Sequence, residues 1–368
     1  MTHSDKDAPG IEPNPYSTQP AKAFWRSAVG EKDALEIDQL WTPKFPIRPT
    51  DVAITAGSCF AQHISRALQE NGFGWLDGEP APPILSPESA KRFNYGVFSF
   101  RTGNIYTTKL LHQWLRWALT DEEPDPEVWE KDGRYYDPVR PQIEPNGFGS
   151  PEEVHRSREA TLAGMRRAFK KANTFVFTLG LTEGWENEET GLCYAACPGT
   201  LAGDFRPDIH KFRNYPYPQV RRELAEALKL VRQYNPRMRV LLTVSPVPLT
   251  ATASDNHVLV ATIYSKSTLR AVAGDMAATN PRIDYFPSYE IISSPPYGGQ
   301  FYAPNKRSVE LYGVAHVMKQ FFAGIEAQGL PDAPAPQPTQ TTAPRPEAEQ
   351  DKDDLVCEEE MLEFFNGN

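Results

Sequence analysis

Four short apolar runs, residues 52–56, 174–179, 240–244 and 283–286, limit what this chain can become. Runs of this length with β-branched and aromatic residues and no alternation read as strands buried on both faces, the pattern of a parallel sheet. Between and after them stand stretches with helical spacing, at about 60–71, 107–119, 150–172, 219–234, 258–278 and 309–325. Parallel strands need helical crossovers, so the order predicts a three-layer α/β fold with a flavodoxin-like parallel sheet and loop insertions. No internal repeat is visible.

Charge divides the chain. Of the formal −10, the stretch from Pro331 to Asn368 carries ten Asp and Glu against Arg345 and Lys352, which is −8, and leaves −2 for the rest. A nearly neutral body without a basic stripe argues against a nucleic-acid partner. No run of 18 uncharged apolar residues is present, and the first residues lack the apolar core of a signal peptide, so no membrane contact and a cytoplasmic location are expected. Cys59, Cys193, Cys197 and Cys357 make no disulfide framework, in keeping with a reducing compartment. Cys193, Cys197 and His210 lack a fourth ligand and the usual spacing, so no metal site is read, and no cofactor is implied.

Three regions are expected. Residues 1–50, polar and Pro-rich, read as a segment that wraps along a domain and is pinned by Tyr16, Phe24, Trp25, Trp41 and Phe45. Residues 51–330 form the α/β domain, interrupted at about 121–150 by an aperiodic insertion read as a lid or substrate-side arm, in which Asp137 and Arg140 either pair or hold substrate. Residues 331–368 are an acidic tail, Pro-rich and disordered to about Asp354, then an acidic-hydrophobic motif at 355–365 that recruits a protein partner or folds back.

Chemistry concentrates at Gly57-Ser58-Cys59, where the first strand turns into the first helix. A small residue there permits a sharp bend. The helix N-terminus favours negative charge, which helps a thiol or hydroxyl to ionise or attack.

Through Gly57-Ser-Cys-Phe-Ala61, Asn94-Tyr-Gly96, Thr178-Leu-Gly-Leu-Thr-Glu183 and Val244-Ser-Pro-Val-Pro248, the chain resembles the bacterial GSCFA-domain proteins, themselves similar to SGNH (GDSL-type) esterases and acyltransferases. The resemblance spans roughly residues 14–325. It implies an SGNH-hydrolase-like sheet and puts Cys59 in the place of the nucleophile, with Ser58 as rival. It also implies that the Gly96 amide, with that of Cys59 beside Gly57, holds an oxyanion and that Asn94 or Asn104 borders the pocket; Gly180, Thr182 and Glu183, leaving the carboxyl end of a parallel strand, are expected at the same pocket, with Thr182 where SGNH enzymes offer an Asn to the oxyanion. Where SGNH enzymes carry Asp-x-x-His, this chain has Asn305-Lys-Arg-Ser308, so His257 with Asp255 is the expected base, ahead of His63 and His316. Ser265, Lys266 and Arg270, on the helix after His257, read as a solvated face, with binding of an anionic or sugar group as the alternative. The expected function is acyl transfer on a small-molecule or glycan ester, as an esterase or O-acyltransferase; the alternative is an inactive SGNH-like scaffold that recruits partners through its tail.

Overall fold

The computed structural model describes residues 14–329 together with Leu362, Glu363 and Phe365. In chain order the elements are β1 (Val52–Gly57), α1 (Ala61–Glu70), β2 (Gly74–Trp75), α2 (Pro87–Arg92), α3 (Thr108–Leu119) and a hairpin of β3 (Trp129–Lys131) and β4 (Arg134–Tyr136). There follow α4 (Pro151–Lys171), β5 (Thr174–Leu179), β6 (Glu183–Asn187), β7 (Cys193–Tyr194), β8 (His210–Asn214), α5 (Tyr217–Tyr234) and β9 (Arg239–Val244). The described core closes with α6 (Val258–Thr279), β10 (Ile283–Phe286), α7 (Ser288–Ser293) and α8 (Leu311–Glu326).

The main sheet is parallel throughout, in the order β2-β1-β5-β9-β10. That is the doubly wound order in which the chain starts in the middle and builds outward in both directions. Pleating sends alternate side chains to opposite layers. Ile54, Phe175, Phe177, Leu242 and Val244 pack with α3, α4, α5 and α6. Ala53, Val176, Leu241 and Phe286 pack with α1, α7 and α8.

Four of the five strands match the apolar runs. The fifth, β2, has only two residues, too short to leave a pattern in sequence. Of the five aromatics expected to pin the N-terminal segment, Trp41 and Phe45 are buried, whereas Tyr16, Phe24 and Trp25 are exposed. Within the insertion, Asp137 is buried between Arg140 and Arg158, each at 2.7 Å, which ties the β3–β4 arm to α4. A carboxylate and two guanidinium groups so matched are consumed by one another, and the substrate role for Asp137 and Arg140 is set aside. Among the described residues no helix is long and apolar enough to cross a membrane. The expected disordered stretch from Pro331, and most of the 355–365 motif, lie outside the described residues.

Candidate active site

The site lies at the carboxyl ends of β1 and β5, where the winding reverses and α/β sheets open a crevice. Gly57 has φ +131°, and a Cβ on it would stand 2.3 Å from the Thr178 carbonyl oxygen, so only glycine fits. The Ser58 amide donates to that same oxygen at 3.0 Å and turns the chain across the end of β5. Residues 105 and 106 wedge between the two strand ends. The Ile105 amide donates to the Gly57 carbonyl at 2.8 Å, and the Tyr106 carbonyl accepts from the amides of Gly180 and Leu181 at 3.1 and 2.9 Å. From β9, the Ser245 amide donates to Leu179 at 2.8 Å.

Ser58, Cys59, Ser245 and Lys266 thereby line one small cavity of about 10 Å³, together with Tyr106 and Leu181. Lys266 is only 1% exposed, and its Nζ donates to the Gly180 carbonyl at 2.8 Å. Among the described residues the buried Ser58 hydroxyl makes no hydrogen bond. Lys266 is the residue that the solvated-face reading of α6 missed. The signal was available: Thr262, Lys266, Leu269 and Ala273 recur at helical spacing, and all are buried.

Several expected site residues are placed elsewhere. His257 caps α6, its Nδ1 accepting from the Leu259 amide at 3.2 Å, and both it and Asp255 are exposed. Nine residues separate His257 from Lys266, roughly 13 Å of helix axis, so the base expected at His257 is not brought to the turn. Burial, aided by the nearby Arg66 charge, pushes the His63 imidazole down to about 4, and His316 is stacked on Phe301 in the core. Thr182 is committed inward, its amide to Ser265 Oγ at 2.9 Å and its hydroxyl to Asn214 at 2.8 Å, so it is not an oxyanion donor. Asn94-Tyr95-Gly96 is the turn that ends α2. There the Tyr95 amide donates to Ala90, Asn94 Nδ2 donates to Gln142 and Gly96 is exposed; neither Asn94 nor Gly96 lines the cavity at the turn. Asn104 is buried directly before Ile105, against the turn. Asn305 and Ser308 form an exposed turn of their own. Among the described residues no His, Cys, Asp and Glu cluster is arranged to hold a metal ion. Cys193 sits in the core beside Thr107 and Tyr215, where burial pushes its thiol up to about 12.

A second cavity, about 280 Å³, adjoins the first through the shared Tyr106 and Leu181. Its walls come from α3, from the antiparallel sheet β7-β6-β8 and from the loop after β9, with Leu110, Trp185, Tyr194, Phe212 and Leu249 among them. Glu183 lines it too, accepting from Thr252 Oγ1 at 2.8 Å; burial raises its carboxyl above the ordinary value.

A flavodoxin-ordered α/β sheet with a hydroxyl, a thiol and a buried amine at its switch point defines the class of protein. The chain belongs to the GSCFA family, whose family model matches residues 53–321. No curated protein sequence matches it. Among solved structures it is similar to one assigned as a platelet activating factor from Streptococcus pneumonia, at 10% identity over 79% of this chain and 87% of that one, with a TM-score of 0.32. It is also similar to an acetyl xylan esterase from the rumen bacterium Butyrivibrio proteoclasticus, at 10% identity over 77% of this chain and 65% of that one, TM-score 0.31. Likenesses this distant leave the chemistry to be argued from the chain's own residues.

Proposed function

We propose that the chain is an acyl-transfer enzyme, a carboxylesterase or O-acyltransferase of SGNH-like layout, in which the Gly57–Cys59 turn supplies the nucleophile and Lys266 takes its proton. One observation carries this reading: the Ser58 hydroxyl is buried without a partner, and Lys266 lines the same cavity with its amine on the Gly180 carbonyl. A buried hydroxyl left unbonded costs on the order of 1–3 kcal/mol. A reacting carbonyl, with the lysine as proton acceptor, would recover that cost.

Lysines held out of water serve as general bases. In the proposed step Ser58 Oγ bonds to the carbonyl carbon as its proton passes to the Lys266 amine. The developing oxyanion lies at the positive end of α1. Collapse breaks the bond to the alcohol oxygen, which leaves with the proton from Lys266. Water, or an acceptor hydroxyl, then attacks the acyl-serine, gives its proton to Lys266, and the Ser58 hydroxyl is restored. Glycans are the acceptor class suggested by analogy with the wider superfamily.

Hydrolysis of p-nitrophenyl butyrate tests the assignment. Ser58→Ala and Lys266→Met are each expected to lower kcat by at least about 100-fold, with Cys59→Ala near wild type. Loss in Cys59→Ala alone would move the nucleophile to sulfur; unchanged rates in both turn variants would reject an acyl-enzyme at this turn. A second reading, a ligand-binding protein without catalysis, is favoured by Asn305 and Ser308 standing where the SGNH base pair is expected and by a cavity at the turn barely large enough for one water. It predicts that wild type and Lys266→Met hydrolyse the ester at the same background rate.

A further inference from the structure

We infer that the larger cavity is a pocket for a saturated acyl chain, and that the chain's own Leu362 and Phe365 cover its mouth in competition with that acyl group. This rests on the acyl-transfer reading for the word acyl, and on the cavity alone for the ligand's chemistry.

Four of the five hydroxyl side chains in the wall are already used within the protein. Thr107 Oγ1 accepts from the Leu110 amide at 3.1 Å, Tyr194 donates to Glu127 at 2.9 Å, Thr200 donates to the Cys197 carbonyl at 2.6 Å and Thr252 donates to Glu183 at 2.8 Å. What remains facing the cavity is mainly hydrocarbon and ring, beside the Glu183 carboxyl and the Cys197 thiol, with Trp185 and Phe212 edge to face at 5.6 Å. A sugar would lose its water here and regain few hydrogen bonds, whereas an alkyl chain loses nothing. The volume of about 280 Å³, set against the roughly 30 Å³ occupied by one water, suits a chain of about eight carbons. Because Tyr106 and Leu181 line both cavities, a chain lying here directs its carbonyl end toward Ser58 and Cys59.

Leu362 and Phe365 also line this cavity. Leu362 is partly buried and Phe365 is 64% exposed, so they cover the opening without filling it. They belong to the acidic-hydrophobic end of the chain, where Leu362 and Phe365 stand three apart, one turn of helix, with Glu363 exposed between them.

Calorimetric titration of the full chain with 1-octanol and with 1-butanol tests this without reading catalysis. Four further methylenes at about fourfold each predict octanol binding on the order of a hundredfold tighter. Ser58→Ala should bind octanol as wild type does; a wild-type chain that binds octanol but hydrolyses p-nitrophenyl butyrate no faster than Ser58→Ala sinks the catalytic reading and leaves this one standing. Leu362→Asp/Phe365→Asp, which makes the covering segment too polar to dock, should tighten octanol several-fold; unchanged affinity would overturn the tail's part. Ala196→Trp and Ala253→Trp, at two separate wall positions, should each weaken octanol more than tenfold while the melting temperature is kept. Octanol binding no tighter than butanol, or unaffected in both tryptophan variants, would overturn the pocket.

Discussion

A carboxylate cut off from water must be held by its neighbours, and Asp137 shows how completely. Burial alone would raise its carboxyl, but the charges and hydrogen bonds of Arg158 and Arg140 outweigh burial and hold it at about 2, below the ordinary 3.8. A carboxyl lowered in the folded state contributes stability that is complete above the unfolded value and is lost as pH falls from about 4 toward 2. The shift corresponds to roughly 2 kcal/mol. Asp137→Asn leaves two guanidinium groups facing each other without their counter-charge, and a loss of about 3–5 kcal/mol at pH 7 is expected. Urea unfolding of both proteins at pH 7 and pH 3 checks it: the gap should narrow at the lower pH, and a constant gap would mean that the charge of Asp137 is not what holds the arm. The pairing of Asp137 with Arg140 was legible from their spacing of three; Arg158, on α4, was not, because nothing local links it to the arm. Lys266 had the opposite fault. Its burial was written in the spacing of α6, but a lysine reads as solvated until its neighbours are placed.

At the scale of elements, boundaries followed local chemistry and were readable where that chemistry was local. α4 begins where Ser150, Pro151, Glu152 and Glu153 announce a helix start. In the structure Ser150 Oγ accepts from the Glu153 amide at 3.3 Å, Pro151 takes the first position, and the two acids face the positive helix end. Ser150→Ala removes the cap while leaving the core untouched, and a cost of about 1 kcal/mol is expected. The denaturation midpoint in urea should fall with the slope unchanged; a changed slope would mean that the unfolding unit itself has altered. The three-stranded sheet β7-β6-β8 was only half visible. β6 and β7 are close neighbours in the chain, but β8 joins them through Glu183 pairing with Asn214, some thirty residues apart, a register that no local pattern encodes. That sheet supplies Trp185, Tyr194 and Phe212 to the larger cavity's wall, so that part of the pocket was illegible for the same reason.

For the whole molecule the question is what fixes the outer layer of α7 and α8 on the sheet. Part of the answer is the N-terminal segment. Trp41 stacks on Phe321 of α8 at 5.3 Å and meets Phe286 of β10 edge-on at 5.1 Å. Its indole Nε1 donates to Asp284 Oδ2 at 3.2 Å, and the Lys44 amide reaches the same oxygen at 2.9 Å. Gly324 completes the contact: a Cβ there would come within 2.8 Å of the Trp41 ring. One side chain therefore joins the edge strand, the last helix and the segment that precedes the domain. Trp41→Ala opens a cavity under α8 and leaves a buried acceptor with one partner fewer, for which about 3–5 kcal/mol is expected. Trp41→Phe keeps the stacking but not the indole donor, and its smaller loss isolates the ring's share. Since Phe60 and Cys59 belong to the same apolar layer as Phe286 and Phe321, loosening that layer should also reach the turn. Hydrogen exchange of the α8 amides and reactivity of the Cys59 thiol toward a neutral alkylating reagent should rise together in Trp41→Ala. A rise confined to α8 would show that the turn is held by β5 and residues 105–106 alone, independent of the layer that Trp41 anchors.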